Sequence, residues 1–345
     1  MSIWRWSEYW NSPPESNQIS LGEGNTPLLR SRRIGPAVGI NNLWFKLETG
    51  NPSGSYKDRF AAAAISHMIA EGQKTCIATS SGNTGAALAA YCAAAKIRCH
   101  ISVVEAAPDA KLLQMRAYGA EVIRVPGFGL NPEITSQTFD GLLEQGGSPG
   151  HALQISAYRY SPKGMAGVES IAFELAEQMV QGINHVFSPA GGGGLTLATA
   201  RGFSKRGMST SVHCVQPEGN DTIAGPLRSG RDQARAVDCD SQISGLQVAS
   251  VIDGDQVIRE CRSSGGTGHL VSDEFVWECQ CRLAQEEGIF CEPAGAVALA
   301  GALNAVEANE VSADSQIVCL VTGSGFKDAA SIGRMIDQDR DITLV

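Results

Sequence analysis

A single lysine stands at the mouth of a helix-like segment, directly after a turn of small and polar residues. The stretch NPSGSYKDRF (residues 51–60) places Lys57 just before an alanine run at residues 61–64. A lysine amine that is activated by burial and by its neighbours is a common nucleophile towards carbonyl compounds. The alternative is structural, a lysine that extends to the surface or pairs with Asp58. The first chemistry that this sequence indicates is therefore Schiff-base formation at Lys57.

A second stretch, TSSGNTGAALAAY, has the composition of a carboxylate-binding turn. A strand-like run leads through Ser80, Ser81, Asn83 and Thr84 into a helix-like run. Hydroxyls, an amide and free backbone N–H groups at a helix N-terminus favour an anion. The same residue types are also common as ordinary helix caps, so this turn alone does not decide between the two roles.

A third stretch, FSPAGGGGLTLATA, places Gly191, Gly192, Gly193 and Gly194 before another helix-like run. Only glycines let a backbone wrap closely around a phosphate and point several N–H groups inward. The run lacks a following Lys-Ser/Thr pair, and Thr196 stands where the G-x-G-x-x-G pattern needs a glycine. Neither a P-loop for ATP nor a fingerprint for NAD is therefore supported.

A fourth stretch, LVTGSGFKDAA, puts the hydroxyl of Thr322 at the end of the last strand-like run. Pyridoxal phosphate is the cofactor that needs all four features together. Its aldehyde forms a Schiff base with a lysine, its phosphate needs a dipole-rich loop, and its ring nitrogen needs one partner. The amino-acid substrate brings the carboxylate. We therefore predict pyridoxal 5′-phosphate as cofactor and a small amino acid as substrate.

The elements that must position these residues alternate along the whole chain. Strand-like apolar runs are separated by alanine-rich or amphipathic stretches of helical length: NLWFKLE, TCIAT, RCHISVV, EVIRVP, HALQIS, NHVFSPA, SVHCVQP and SQIVCLVTG. This alternation predicts an α/β fold with parallel strands and crossover helices. In such folds ligands bind where strands end and helices begin, which is where these features lie. Weak periodicity at residues 228–248 predicts an irregular segment.

Composition narrows the class of partner. Among 345 residues, 27 are basic and 36 acidic, a net charge of -9 with no basic cluster, which argues against nucleic acid and anionic membrane. The N-terminal stretch has no long apolar core, so neither a signal peptide nor an anchor is expected, and the cytoplasm is the expected location. The ten cysteines lie mostly in apolar runs, which predicts buried reduced thiols. Cys279 and Cys281 lack a second pair, so no metal site is predicted.

The motifs carry a family resemblance over nearly the whole chain. LGEGNTPLLRS, NPSGSYKDRF, SSGNTGAALAAY, PAGGGGL, EPAGAVALAGA and VTGSGFKDAA resemble the fold-type II pyridoxal-phosphate enzymes, and most of all the threonine synthases. LGEGNTPL and TGSGFKD are the discriminating stretches. The lysine turn and SSGNTG are shared with the wider group, which includes cysteine synthases and threonine or serine dehydratases.

The resemblance implies a role for each cofactor motif. Lys57 would be the Schiff-base lysine and the proton carrier. Asn83 would hydrogen-bond the phenolic oxygen of the cofactor, residues 191–194 would hold its phosphate, and Thr322 would face its pyridine nitrogen. A neutral hydroxyl at that nitrogen suits elimination and replacement better than transamination.

The resemblance also implies the substrate contacts. Ser80, Ser81 and Thr84 would hold the substrate carboxylate. Arg159 and Lys163, in QISAYRYSPKGMAGVES, are the candidate ligands of a substrate phosphate, because a phosphate requires cations. The implied reaction is that of threonine synthase, a lyase of threonine biosynthesis. It converts O-phosphohomoserine and water to threonine and phosphate by γ-elimination and β-addition.

Three departures from the threonine synthase pattern concern the substrate pocket. Ser156 replaces the usual asparagine, and the Gln-Lys-Thr run that normally follows is absent. GGGGL is closer to the dehydratase and cysteine synthase form, and Ser324 stands where histidine or asparagine is common. The alternatives are a phosphoserine-using β-replacement enzyme resembling cysteate synthase, a threonine or serine dehydratase, and a catalytically silent paralogue.

The resemblance further implies a two-domain, tryptophan synthase β-like fold, each domain a mostly parallel open sheet flanked by helices. Residues 1–74 and 157–345 would form the large cofactor-binding domain, and residues 75–156 a smaller, mobile domain. The cofactor would lie between them, and the smaller domain would close over the substrate. Members of the group are usually homodimers, so a homodimer is expected.

Overall fold

The computed structural model describes residues 2–336. Within that range the strands are β1 (Leu28–Arg30), β2 (Leu43–Leu47), β3 (Thr75–Thr79), β4 (Arg98–Val103), β5 (Glu121–Arg124), β6 (His151–Leu153), β7 (His185–Pro189), β8 (Ser211–Pro217), β9 (Gly268–Val271) and β10 (Ile317–Val321). The α-helices are α1 (Ile34–Ala37), α2 (Lys57–Ala70), α3 (Asn83–Ala95), α4 (Asp109–Ala117), α5 (Pro132–Gly146), α6 (Pro162–Val168), α7 (Ser170–Gln178), α8 (Gly194–Lys205), α9 (Ala224–Arg228), α10 (Gly254–Ser263), α11 (Asp273–Glu287), α12 (Pro293–Glu307) and α13 (Ala329–Met335). Short 3-10 helices cover Ile3–Tyr9, Glu15–Asn17, Glu48–Gly50, Glu218–Asn220 and Gly325–Lys327.

The strands form two sheets. A six-stranded sheet has the order β1-β2-β10-β7-β8-β9, and a four-stranded sheet has the order β5-β4-β3-β6. All pairings are parallel except that of β1 with β2. The predicted α/β class, with mostly parallel sheets flanked by helices, is confirmed. The smaller sheet draws its strands from residues 75–153. That this segment moves as a domain stays a prediction.

Burial and composition explain why the sequence revealed eight strands and missed two. Every residue of β10 is buried, as expected for a central parallel strand covered on both faces, so its sequence is a continuous apolar run. β1 is a three-residue edge strand with exposed residues, and β9 (GHLV) contains a glycine and a histidine. Neither has a periodicity that indicates a strand. As predicted, the chain between α9 and α10 is irregular.

Helix α2 packs against both α3 and α6. The close approach of α2 to α6 depends on glycines. A Cβ atom at Gly164 would lie 2.6 Å from the ring of Phe60, and one at Gly167 would overlap the carbonyl oxygen of Arg59. The two helices therefore meet nearly backbone to backbone, which fixes α2 relative to the chain that follows β6.

A buried ionic network connects α2 to β2, to the turn after β2 and to α7. Arg59, which is fully buried, donates from Nε to Glu48 Oε2 at 2.7 Å and from Nη2 to Glu174 Oε2 at 3.0 Å. Lys46 also bonds Glu174, and it donates to the carbonyl of Thr26 at 2.8 Å. Burial alone would raise the pKa of Glu48, but the adjacent Arg59 guanidinium lowers it below its ordinary value. The network connects four separate segments of chain.

Three histidines that are far apart in sequence meet on adjacent strands. His213 on β8 lies between His185 and His269, with Nε2 3.0 Å from His185 Nδ1 and Nδ1 3.1 Å from His269 Nε2. Burial lowers the pKa of His213 to about 3 and that of His269 to about 4. No sequence pattern groups these residues, because each stands alone in its own strand.

The N-terminal aromatic segment packs on its own chain. Trp6 is buried, and its indole Nε1 donates to Glu177 Oε1 at 2.7 Å. The rings of Trp4 and Trp10 are stacked with centroids 5.4 Å apart. Among the described residues, no helix has the length and apolarity needed to cross a bilayer.

Candidate active site

Lys57 is the first residue of α2, and the turn before it is fastened to the end of β10. The amide of Tyr56 donates to the carbonyl of Thr322 at 3.0 Å, and the amide of Ser324 donates to the carbonyl of Gly54 at 2.9 Å. Gly54 has a φ of +92°, a conformation that a residue with a side chain rarely adopts. The predicted lysine and the predicted strand-end hydroxyl are therefore brought together.

The amine of Lys57 points to a segment that sequence reasoning did not connect with it. Lys57 Nζ donates to the hydroxyl oxygen of Ser156 at 2.8 Å, in the chain that follows β6. The same segment borders the glycine turn, because a Cβ atom at Gly194 would lie 3.2 Å from the carbonyl oxygen of Ser156. Ser156 thus stands between the amine and the predicted phosphate loop.

The glycine turn joins β7 to α8 and is supported from two sides. Gly193 has a φ of +96°, so only glycine fits there without strain. Gln216 donates from Nε2 to the carbonyl of Gly191 at 3.2 Å, and the amide of Asp253 donates to the carbonyl of Gly192 at 3.2 Å. The turn leads directly into a helix N-terminus, so its backbone amides form the arrangement that binds phosphates in other proteins.

Asp253 also fixes the segment that carries Arg159. Its carboxylate accepts hydrogen bonds from the amides of Tyr158 at 2.8 Å and Arg159 at 3.0 Å. The side chain of Arg159 is exposed and lies over the ring of Tyr160, 5.6 Å from its centroid. Through Asp253, the backbone of Arg159 is attached to the glycine turn.

Asn83, the first residue of α3, bonds the carboxylate of the residue that precedes α12. Its Nδ2 donates to both oxygens of Glu292, at 2.8 and 3.1 Å. Burial raises the pKa of Glu292 to about 7, although the bond from Asn83 and the charges of Lys327 and Lys111 favour the ionised form. Sequence reasoning quoted the EPAGAVALAGA motif but assigned Glu292 no role. Its only sequence signal is an acid directly before the proline that begins α12.

The hydroxyl of Thr322 is buried and has no hydrogen-bond partner among the described residues. Buried hydroxyls are rarely left without a partner, because the lost hydration costs free energy. Ser80 and Ser81 are half-buried in the loop between β3 and α3, and Thr84 is half-buried in the first turn of α3, beside Asn83. These predicted substrate residues therefore lie on the same strand-to-helix connection as a predicted cofactor residue.

Lys163 is the predicted residue that the structure does not bring to this region. It forms an ion pair with Glu71, and both side chains are largely exposed. Glu71 follows the last residue of α2, whereas Lys57 is the first residue of that helix. At a rise of 1.5 Å per residue the two ends of α2 are about 20 Å apart. The assignment of Lys163 to a substrate phosphate is therefore not supported by this geometry.

A family comparison identifies the cofactor. Residues 19–323 match the model of the family described as pyridoxal-phosphate dependent enzymes. The chain belongs to this family. The predicted cofactor, pyridoxal phosphate, is thereby confirmed, and the protein is an enzyme.

Curated members of the pyridoxal-phosphate family that resemble the chain include threonine synthases, which are lyases. The chain is 30% identical to the threonine synthase of Methanocaldococcus jannaschii over 338 residues, covering 95% of this chain and 81% of that protein. It is 29% identical to the threonine synthase of Halalkalibacterium halodurans, covering 98% of this chain and 94% of that protein. The predicted resemblance to threonine synthase is therefore confirmed.

Solved structures of other family members share the fold. A processed threonine deaminase isoform from Solanum lycopersicum matches with a TM-score of 0.77 at 22% identity, covering 96% of this chain and 92% of that one. Maize serine racemase matches with a TM-score of 0.76 at 25% identity, covering 90% of this chain and 91% of that one. The tryptophan synthase β-like, fold-type II class is confirmed, and the neighbours catalyse different reactions.

The residues present fit this cofactor on two structural observations. The buried Thr322 hydroxyl without a partner is suited to the ring nitrogen, which accepts one hydrogen bond. The turn at residues 191–194 has no side chains, has one obligatory left-handed glycine, and opens a helix, as a phosphate requires. Lys57 follows Tyr56, whose amide donates to the carbonyl of Thr322. Asn83 bonds Glu292, whose amide donates to the carbonyl of Gly323.

Proposed function

We propose that the protein is a threonine synthase that converts O-phosphohomoserine and water to threonine and phosphate. The observation that carries the proposal is the segment after β6. It brings Ser156 to within 2.8 Å of the Lys57 amine and holds the backbone of Arg159 against the support of the glycine turn. Among the described residues, the Arg159 guanidinium forms no ion pair with a carboxylate, so it is available to a phosphate beyond that of the cofactor.

The similarity to threonine synthases supports the same choice. The matches to the threonine synthases of M. jannaschii and H. halodurans cover 95% and 98% of this chain. A second phosphate-binding position, at Arg159, is what would distinguish a phosphorylated substrate from serine or threonine. Homodimer formation and a cytoplasmic location stay predictions.

In this proposal the side chains around the lysine have separate tasks. Pyridoxal phosphate, when bound, supplies an electron sink for the α-carbon of an amino acid. Lys57 holds the cofactor and moves protons at its Nζ atom, with Ser156 Oγ as the hydrogen-bond partner of that amine. Asn83 holds the phenolic oxygen, and Thr322 offers the ring nitrogen a neutral hydroxyl.

Glu292 gives Asn83 its orientation. Both carboxylate oxygens accept from Asn83 Nδ2, which restrains the rotation of the Asn83 amide. Because burial raises the pKa of Glu292 to about 7, the carboxyl group exists in both protonation states near neutral pH. We propose that Glu292 positions Asn83.

Ser80, Ser81 and Thr84 hold the substrate carboxylate, and Arg159 holds its phosphate. Water must be kept from the reacting carbons until phosphate has left, so the half that contains β3 to β6 closes over the substrate. Contacts that would accompany closure already cross between the halves. On α4, Gln114 accepts from Lys327 Nζ at 2.7 Å and donates to the carbonyl of Ser53 at 3.0 Å.

The deciding experiment supplies purified holoenzyme with O-phosphohomoserine, O-phosphoserine, threonine or serine. We expect release of phosphate and threonine from O-phosphohomoserine, without 2-oxobutyrate. Lys57→Ala is the matched control, and it should lack both the activity and the visible absorbance of the bound cofactor. Turnover of O-phosphoserine alone would reject the proposal in favour of a β-replacement enzyme.

Threonine dehydratase is the second candidate. The tetraglycine turn resembles the dehydratase form, and the chain is 26% identical to a second threonine deaminase of solved structure, with a TM-score of 0.73 and coverage of 93% of this chain and 94% of that one. Formation of 2-oxobutyrate from threonine, with no phosphate released from O-phosphohomoserine, would establish this reaction instead.

A further inference from the structure

Three cysteines of the smaller sheet lie together in its core. Cys76 on β3 and Cys99 on β4 are register partners of neighbouring parallel strands, so their side chains point to the same face. Cys92, in the last turns of α3, covers that face. The three sulfur atoms all lie within 4.8 Å of one another, and Cys76, Cys99 and Cys92 are 0%, 7% and 0% exposed respectively. All three thiols are free.

This spacing matches what one soft ion requires. Thiolate sulfurs bind such ions at about 2.3 Å, which places three sulfurs around one ion at about 4 Å from each other. Within residues 2–336, these cysteines are the one group of three histidine, cysteine or acidic side chains with this geometry. The sequence has no spacing pattern that predicts the group, because its members lie on three successive elements.

A cavity lies beside the group. A cavity of ≈240 Å³ is lined by both Cys92 and Cys99. Lys96 and Arg98, which are exposed, lie in the same cavity wall. The cavity therefore borders two of the three residues, of which Cys99 is 7% exposed, and this is the side from which a small solute would enter the group.

We propose that Cys76, Cys92 and Cys99 form a three-sulfur binding site for a thiophilic ion, with trivalent arsenic as the best match. Arsenous acid reacts with three thiols to give a tris-thiolate and three waters. Three S–H and three As–O bonds break while three As–S bonds and three water O–H bonds form, with no change of oxidation state. The product is neutral, which suits a buried site. Zinc would need a fourth ligand and would leave a negative charge in the core.

Ion binding at this site would reduce the mobility of a loop at the candidate active site. β3 ends at Thr79 and α3 begins at Asn83, so both elements run directly into the loop that carries Ser80 and Ser81. An ion bound to cysteines of β3, β4 and α3 restrains the strand and the helix on either side of that loop. We therefore expect slower amide hydrogen exchange in residues 80–84 when the site is filled.

The test uses holoenzyme with Cys239→Ala and Cys281→Ala, which removes the two partly exposed thiols. Sodium arsenite is titrated while intact mass, melting temperature and hydrogen exchange are followed. We expect one arsenic per chain, a mass gain of one arsenic less three hydrogens, and a higher melting temperature. A further Cys92→Ala substitution should weaken binding at least ten-fold. Cys319→Ala, which removes a buried thiol of the other sheet, should leave binding unchanged.

Three outcomes would overturn the assignment. The first is equal binding by the Cys92→Ala and parent proteins, and the second is binding only after denaturation. The third is a mass gain that corresponds to a two-sulfur adduct retaining a hydroxyl group. If Cys92→Ala does not fold, Cys76→Ala and Cys99→Ala replace it, and the same outcomes apply.

Discussion

Among single residues, Thr322 has a hydroxyl that folding removes from solvent without supplying a hydrogen-bond partner from the described residues. The Oγ1 atom is buried and unpartnered within the described chain, whereas the carbonyl of the same residue is bonded to the lysine turn. A buried hydroxyl without a hydrogen bond lowers the free energy of unfolding of the apoenzyme. A ligand that supplies the missing hydrogen bond removes this penalty. The residue therefore links cofactor binding to stability.

Replacing Thr322 with valine tests this link. We expect the Thr322→Val apoenzyme to be as stable as the parent or more stable by about 1 kcal/mol, and its cofactor affinity to fall about ten-fold. Urea unfolding of the apoenzyme and spectroscopic titration with the cofactor measure the two effects. Thr75→Val is the matched control, because Thr75 Oγ1 is also buried without a partner but lies at the start of β3. An unchanged affinity in Thr322→Val would contradict the assignment.

Arg159 and Lys163 separate two interpretations of the same segment. We expect Arg159→Ala to raise KM for O-phosphohomoserine at least ten-fold while cofactor absorbance stays normal, because a cation for the substrate phosphate is lost. Lys163→Ala should change KM less than two-fold, since its amine pairs with Glu71 at the surface. Steady-state kinetics of both variants measure this. An equal rise in KM in both variants would mean that the Lys163 amine contacts the substrate.

Among the elements, α2 contacts helices from both halves of the chain, α3 after β3 and α6 after β6. It carries Lys57 at its first position, packs against α3 and α6, and extends Arg59 into the buried network with Glu48 and Glu174. Its N-terminus is thus held by packing, by ion pairs and by the bond from Tyr56 to Thr322. The position of the amine depends on all three.

Removing the charge of Arg59 should destabilise the whole protein. Arg59→Met leaves Glu48 and Glu174 buried with less compensating charge, so we expect a loss of about 3 to 5 kcal/mol of unfolding free energy. Arg228→Ala is the control, because its pair with Glu310 is substantially exposed and should cost about 1 kcal/mol or less. Denaturant unfolding of both variants gives the comparison. A smaller loss in Arg59→Met than in Arg228→Ala would contradict the structural role of the network.

For the molecule as a whole, buried titratable groups act in opposite directions on stability. Burial raises the pKa of Glu292 to about 7 and that of Asp58 to about 6, so the folded chain holds protons that the unfolded chain has released. Their contribution to stability is therefore present below their unfolded pKa values and is lost as pH rises to about 7. The lowered pKa values of His213 and His269 have the opposite effect, because stability falls as pH drops below 6.5.

Glu292→Gln isolates one of these contributions. The amide mimics the protonated acid, so the variant should gain up to about 3 kcal/mol over the parent at pH 8 and almost nothing at pH 4.5. Urea unfolding of the apoenzyme across this range measures the gain. Glu15→Gln, at an exposed position, should follow the parent at every pH. A constant offset between Glu292→Gln and the parent would show that the pKa of Glu292 is not raised.

The sequence predicted those features that lie within one contiguous stretch. The α/β class, eight strands and the cofactor followed from apolar runs and from turns at strand ends, and these are confirmed. The roles of single site residues stay predictions. What sequence reasoning missed comes from pairs distant in the chain: Ser156 beside Lys57, Glu292 beside Asn83, and His213 among its neighbours. Parallel sheets with long crossovers place such residues together without a sequence pattern.

The seam between α2 and α6 limits how this enzyme could be redesigned or could diverge. At Gly164 and Gly167 any side chain would push α6 away from α2, and with it both the amine-bearing turn and the chain that leads to Ser156. A mutant library for altered substrate choice should hold both glycines constant and vary the loops at residues 80–82 and 156–159. Variation in specificity is then confined to loops, while the helical frame that aims the lysine stays fixed.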